Sequence, residues 1–154
     1  MRLILSLARV PQPRIGSFEF HNNSTITLTN RPLSCSTIIL ENDNASRTIL
    51  RNETYTSTEP FVTDMLIFYD DFFLSNLRTV LSIGDYLGQM ALKTLLRVIS
   101  YHYIQHETHN RPFCLQLTNF HVSNIFVNKD RNITYLIDYE WVYTLPAEML
   151  SVLY

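Results

Sequence analysis

Two consecutive stretches of helical period constrain this chain more than anything else in its sequence. Phe61, Met65, Phe68, Tyr69, Phe72 and Phe73 recur at three- and four-residue steps, and Thr58 and Pro60 suit a first helical turn. After a break, Leu87, Ala91, Leu95, Val98, Ile99 and Tyr103 form a second apolar stripe, with Asp85 placed to cap its start. Two amphipathic helices in succession are expected, each with an apolar stripe down its length. At 154 residues the chain has the length of one ordinary domain.

The remaining segments read as strands, turns and connections. "SFEFHNNSTITLT", from Ser17 to Thr29, alternates apolar and polar residues around an Asn-rich turn, so a hairpin is expected with Phe18, Phe20, Ile26 and Leu28 on a buried face. From Asn30 to Pro60 no period is sustained, and only a short helical or extended piece around Thr37 to Leu40 is predicted. "FCLQL" offers a short strand. "IFVN" and "ITYLID", joined by the polar "KDRN", predict a tight hairpin that ends at Asp138. At the N-terminus, Leu3, Ile4 and Leu7 share one face of a short helix that Pro11 and Pro13 terminate.

Composition excludes several classes. A hydrophobic fraction of 46%, a charged fraction of 17% and a net charge of -2 describe a globular chain with no general attraction to polyanions, so nucleic acid is not an expected partner. No run approaches the roughly 18 apolar residues of a membrane span. The apolar run from Leu3 to Ala8 is shorter than the core of a secretion signal, and the expected location is cytoplasmic. Cys35 and Cys114 lie in no metal-like spacing and read as reduced thiols. The triplets "NST", "NAS", "NET" and "NIT" would matter only in a secreted glycoprotein, a competing reading.

The segment with chemical content is "LTNFHVSNIFVNKDRNITYLIDYEW", Leu117 to Trp141. A hairpin that brings an amide at Asn124 towards a carboxylate at Asp138 supplies two oxygen ligands of the kind Mg²⁺ takes, with phosphate oxygens and water completing the shell. The plainer alternative is that Asn119 and Asn124 are turn residues bonding their own backbone and that Asp138 ends a strand. His102, His106 and His109 read as a polar helix end, since Tyr103 stands where a zinc-protease pattern needs Glu. Asp70 and Asp71 are expected on the solvent side of the first helix.

This segment resembles the catalytic and metal-binding stretch of the aminoglycoside phosphotransferase-like proteins, relatives of choline kinase, especially their fungal branch. "PRIGSF" and "LTNRPL" resemble further segments of that branch, so the likeness runs from about Val10 to Met149. The resemblance implies a truncated, mostly helical C-terminal lobe of a protein-kinase-like fold, α+β with small hairpins, spanning 1–154 and lacking the smaller N-terminal lobe. It implies ATP and Mg²⁺ as cofactors, Asn124 and Asp138 as metal ligands, and a small-molecule hydroxyl as acceptor. His121 and Ser123 match loop residues, and Glu140 and Trp141 match the tail of the second motif.

Two departures stand out. Asn119 occupies the position of the catalytic Asp, and an amide takes up no proton at ordinary pH. Leu117 stands where many members have His. The only lysines, Lys93 and Lys129, lie in a predicted helix and a hairpin turn, so neither suits the phosphate-holding lysine of the missing lobe. The resemblance therefore implies a phosphotransferase relative that is catalytically weak or inactive; a non-catalytic pseudokinase or protein-docking module is the competing class.

Overall fold

A computed structural model describes residues 6–76, 80–104, 112–117, 121–138 and 141–149. Its centre is a five-stranded antiparallel sheet. In chain order the strands are β1 (Pro11–Gln12), β2 (Gly16–Phe20), β3 (Ile26–Asn30), β4 (Phe113–Leu117) and β7 (Val142–Pro146), arranged β1-β4-β7-β2-β3. A separate hairpin joins β5 (Ile125–Val127) to β6 (Ile133–Leu136). Among the described residues three longer helices flank these strands in sequence: α1 (Cys35–Asn42), α2 (Thr58–Ser75) and α3 (Ile83–Tyr103).

This architecture corrects the expectation of a mostly helical, truncated kinase-like lobe. The organising element is the sheet, and its central strand β7 comes from "VYTLP", a run in which no strand is expected from the sequence. Strand β7 pairs with β4 on one side, Leu117 opposite Val142, and with β2 on the other, Gly16 opposite Thr144. Residues more than a hundred positions apart thus become neighbours, which local periodicity does not register.

Ile15, Ile49, Tyr55, Phe61, Phe113 and Leu145 are buried together, with Val62, Met65, Tyr143 and Met149 packed against them. The segment expected to be irregular contributes two of these residues, and Tyr55 is held by reciprocal backbone bonds with Ile15 of 2.7 and 3.0 Å. Its hydroxyl donates to Asp64 of α2 at 2.7 Å. Thr144, fully buried, accepts from the Gly16 N–H at 2.9 Å and donates to the Arg14 carbonyl at 2.6 Å, locking β7 to β2. Gly16 has no room for a side chain: a Cβ there would lie 2.8 Å from the Asn30 carbonyl oxygen and 2.9 Å from Thr54.

The helices start where capping chemistry places them. Ser34 caps α1 by accepting from the Thr37 N–H at 3.0 Å. At α3 the cap is Ser82, not Asp85. Ser82 accepts from the Asp85 N–H at 3.1 Å while the Asp85 carboxylate accepts from the Leu81 N–H at 3.0 Å, a reciprocal capping box. Helix α2 buries Phe61, Phe68 and Phe73, as its spacing predicts.

Two burial expectations fail. The β2–β3 hairpin forms with Phe18 opposite Leu28 and Phe20 opposite Ile26, but Phe20 and Ile26, the last pair before the turn, are exposed. Helix α3 turns its polar side to α2: Lys93 and Arg97 pair with Asp70, Lys93 also donates to the Tyr69 carbonyl at 2.7 Å, and Tyr86 stacks on Phe73. Asp70 is therefore an interhelical anchor and not a free solvent-side charge. The stripe Leu87, Leu95 and Val98 faces outward. Residues 6–8 are helical, whereas Leu3 and Ile4 of the predicted N-terminal helix lie outside the described residues. Among the described residues no helix is long and apolar enough to cross a membrane.

Candidate functional site

Strands β4 and β7 bracket the sequence excursion 118–141 and pair at its base through Leu117 opposite Val142. Within that excursion a 3₁₀ turn, Val122–Asn124, runs directly into β5. The five residues of "NKDRN" close the hairpin through an Asx turn, in which the Asn128 side-chain oxygen accepts from the backbone of Asp130 at 3.0 Å and of Asn132 at 2.9 Å. The ladder places Ile125 opposite Leu136 and Phe126 opposite Tyr135.

One backbone bond extends the ladder past its last pair. The Ile137 N–H donates to the Asn124 carbonyl at 3.1 Å, so Asn124 and the residue before Asp138 are fixed at the same end of the hairpin. Asn124 is buried, and its own N–H donates to the His121 carbonyl at 2.9 Å. Asn124 Oδ1 accepts from the Ser123 hydroxyl at 3.1 Å, and that hydroxyl also lies 2.8 Å from His121 Nδ1. His121 Nδ1 also accepts from the Ser123 N–H at 3.3 Å, and with Nδ1 as acceptor the single hydroxyl proton of Ser123 goes either to Nδ1 or to Asn124 Oδ1. His121 and Ser123 thus form a short hydrogen-bonded relay at the turn that holds Asn124.

Asp138 is exposed and has a φ of 57°. Three other non-glycine residues share a left-handed backbone: Ser24 and Arg131 sit in hairpin turns, and Asn44 follows the end of α1. Asp138 lies in neither kind of place. The left-handed conformation turns the chain sharply after β6 at a cost of roughly 1 kcal/mol for a residue with a Cβ.

Of the residues singled out from sequence, Asn124 and Asp138 are brought to one end of the hairpin. Asn119 and Glu140 lie outside the described residues, as do His106 and His109. Trp141 is half-buried at the return into β7. The donor set suits a hard cation only in part: one carboxylate and one amide oxygen, with no group of three or more His, Cys, Asp or Glu residues among the described residues. One carboxylate and one amide, whose Oδ1 already accepts from the Ser123 hydroxyl, do not make a cage that holds a bare ion. Lys93 is engaged by Asp70 and Tyr69 on α2, and Lys129 is at the turn, the opposite end of the hairpin from Asp138.

Sequence reasoning missed three features. The guanidinium of Arg31 meets Glu41 through both of its terminal nitrogens, the second bond being 2.6 Å, with both side chains shielded from water. Thr144 joins β7 to β2. An apolar cavity of about 420 Å³ opens between α2, α3 and the turn Ala147–Met149, lined by Val62, Leu66, Leu96 and Ile99 among others, and it shares no lining residue with the hairpin site. None of these has a local sequence signature. Compared with known proteins, the chain matches no protein-family model, no curated protein and no solved structure.

Proposed function

We propose that the turn and hairpin from His121 to Asp138 are a magnesium–nucleotide half-site, and that the chain is a relative of the aminoglycoside phosphotransferase-like proteins, impaired in catalysis. The observation that supports this reading is the Ile137–Asn124 backbone bond, which fixes Asn124 and the residue before Asp138 at one hairpin end. Asn124 and Asp138 would hold Mg²⁺ together with nucleotide phosphate oxygens; the ion, when bound, neutralises charge on the phosphates. His121 and Ser123 orient the Asn124 amide. Asn119, at the position of the catalytic base, orients an acceptor hydroxyl but takes no proton from it, which removes a contribution of roughly 10²–10⁴ in rate. The acceptor class is a small-molecule alcohol, and the setting is cytoplasmic.

Calorimetric titration of the folded chain with Mg²⁺–ATP, beside Asp138→Ala, tests the reading. Binding that disappears in the variant supports it. No binding to the folded wild type overturns it.

A second reading, a non-catalytic module that works by docking to another chain, is favoured by a different observation: the outward face of α3 is apolar and uncovered.

A further inference from the structure

Helix α3 meets α2 through its polar side. Tyr86, Gln89, Lys93 and Ser100 are half-buried along one line of the helix, Leu87, Leu95 and Val98 are exposed, and no described side chain of α3 is fully buried. The contacts with α2 gather around two of its residues. Tyr86 stacks on the buried ring of Phe73 with centroids 5.7 Å apart, and the Lys93 ammonium lies 4.4 Å from the centroid of the same ring. Almost one turn earlier on α2, Asp70 takes Lys93 on one carboxylate oxygen, at 3.3 Å, and Arg97 on the other, while Lys93 also donates to the Tyr69 carbonyl. Further towards the start of α2 the two helices leave a gap. The apolar cavity of about 420 Å³ lies there, with Val62 and Leu66 of α2 on one side and Leu96 and Ile99 of α3 on the other.

We propose that α3 is a lid over this cavity, latched to α2 at Asp70, and that it parts from α2 as a unit while the sheet stays folded. Two observations carry the proposal together. A helix that buries no apolar side chain fully gains little hydrophobic free energy from docking, so its attachment rests on the ion pairs and ring contacts around Asp70 and Phe73. The cavity then denies the far end of α3 the close contacts that would otherwise hold it down. Lys93 and Arg97 are the arms of the latch, and both pairs keep part of their surface in water, where salt weakens them. Opening turns the walls of the cavity, Val62 and Leu66, into accessible apolar surface. Once undocked, α3 keeps only its own helical propensity, lowered by Gly84 and Gly88, so its amides exchange with solvent. The inference does not depend on the nucleotide reading.

Hydrogen–deuterium exchange of the full chain, read peptide by peptide by mass spectrometry, tests the lid. In the wild type, α3 is expected to exchange faster than β4 and β7 but more slowly than a synthetic peptide of its sequence. Its exchange should rise only slightly with urea below the unfolding midpoint, whereas that of β4 and β7 rises steeply, because a partial opening exposes little surface. Raising NaCl to about 1 M is expected to speed α3 exchange severalfold. Asp70→Asn keeps the shape of the side chain and removes its charge, and is expected to speed it about tenfold. Adding Lys93→Met and Arg97→Met to that variant should change little more, since the three charges act as one latch. Leu66→Phe, which adds bulk to the cavity wall from α2 and leaves α3 unaltered, is expected to slow α3 exchange severalfold. An α3 whose exchange follows urea as steeply as β4 and β7 overturns the proposal, since the helix would then leave only when the whole fold does. So does an α3 that exchanges as fast as the free peptide, one indifferent to salt and to Asp70→Asn, or one that Leu66→Phe does not slow.

Discussion

Arg31 and Glu41 pair side by side in a shielded pocket between the end of β3 and α1, with Arg47 approaching the same carboxylate at 3.4 Å. Burial alone would raise the Glu41 carboxyl. The hydrogen bond and charge of Arg31, with those of Arg47, outweigh it and hold the group below its ordinary value of 4.5. A carboxylate whose folded value is depressed stabilises the fold above its unfolded value, and that stability is lost as pH falls through the folded one. Denaturation midpoints are therefore expected to fall as pH drops below about 4.5. Glu41→Gln should lower stability by roughly 3–5 kcal/mol at neutral pH, since it strands the buried guanidinium, and the gap to wild type should narrow in acid. A gap independent of pH would contradict this account.

Thr144 and Gly16 provide a test of the sheet. Thr144→Val keeps the shape and removes the hydroxyl that satisfies the Gly16 N–H, so a loss of about 1–3 kcal/mol is expected in urea titrations, with Thr144→Ser costing less. Gly16→Ala should be comparably harmful, because its Cβ meets the backbone oxygen of Asn30, which cannot swing aside. Two variants that leave the midpoint unchanged would mean that β2 and β7 are not joined in this register.

What could be read from the sequence follows the range of the signals. The β5–β6 hairpin was legible because its turn chemistry and its alternation lie within a dozen residues of each other. Helix α2 was legible because Phe61, Phe68 and Phe73 repeat on one side. For α3 the period correctly groups Leu87, Leu95 and Val98, but a period says which residues share a face and not which face has a neighbour. The anchors that decide it, Asp70 with Lys93 and Arg97, are polar groups that a search for apolar stripes passes over. Strand β7 was missed since four residues before a proline carry little weight alone and earn their place only beside β4 and β2. The Asn124–Asp138 arrangement was legible to the level of the hairpin. The left-handed backbone of Asp138 and the His121–Ser123 relay were not, because both depend on how the chain closes around them.

Variants at Asp138 separate a ligand role from a conformational one. Asp138→Gly relieves the left-handed strain and is expected to leave stability unchanged or raise it by up to about 1 kcal/mol, whereas Asp138→Ala should lower it by about that amount. Both lose the carboxylate, so both should lose Mg²⁺–ATP binding. Binding retained by the glycine variant would assign Asp138 to chain geometry alone.

On the proposed phosphotransferase reading, a carboxylate placed at position 119 asks how much of the expected impairment that one residue carries. An Asp there would supply a proton acceptor, and general base catalysis alone would predict a gain of roughly 10²–10⁴ in turnover. Phosphoryl transfer, however, rests mainly on positioning and charge neutralisation of the phosphates, for which related sites use a lysine and a covering loop. Of the two lysines, Lys93 is bound to Asp70 and the Tyr69 carbonyl, and Lys129 is at the hairpin turn away from Asp138. Asn119→Asp is therefore expected to leave ATP turnover and phosphate transfer to alcohols near background, even where nucleotide binding is retained. Robust turnover by that variant would show that the phosphates are held by groups other than these lysines, and that the amide at 119 was the sole deficit.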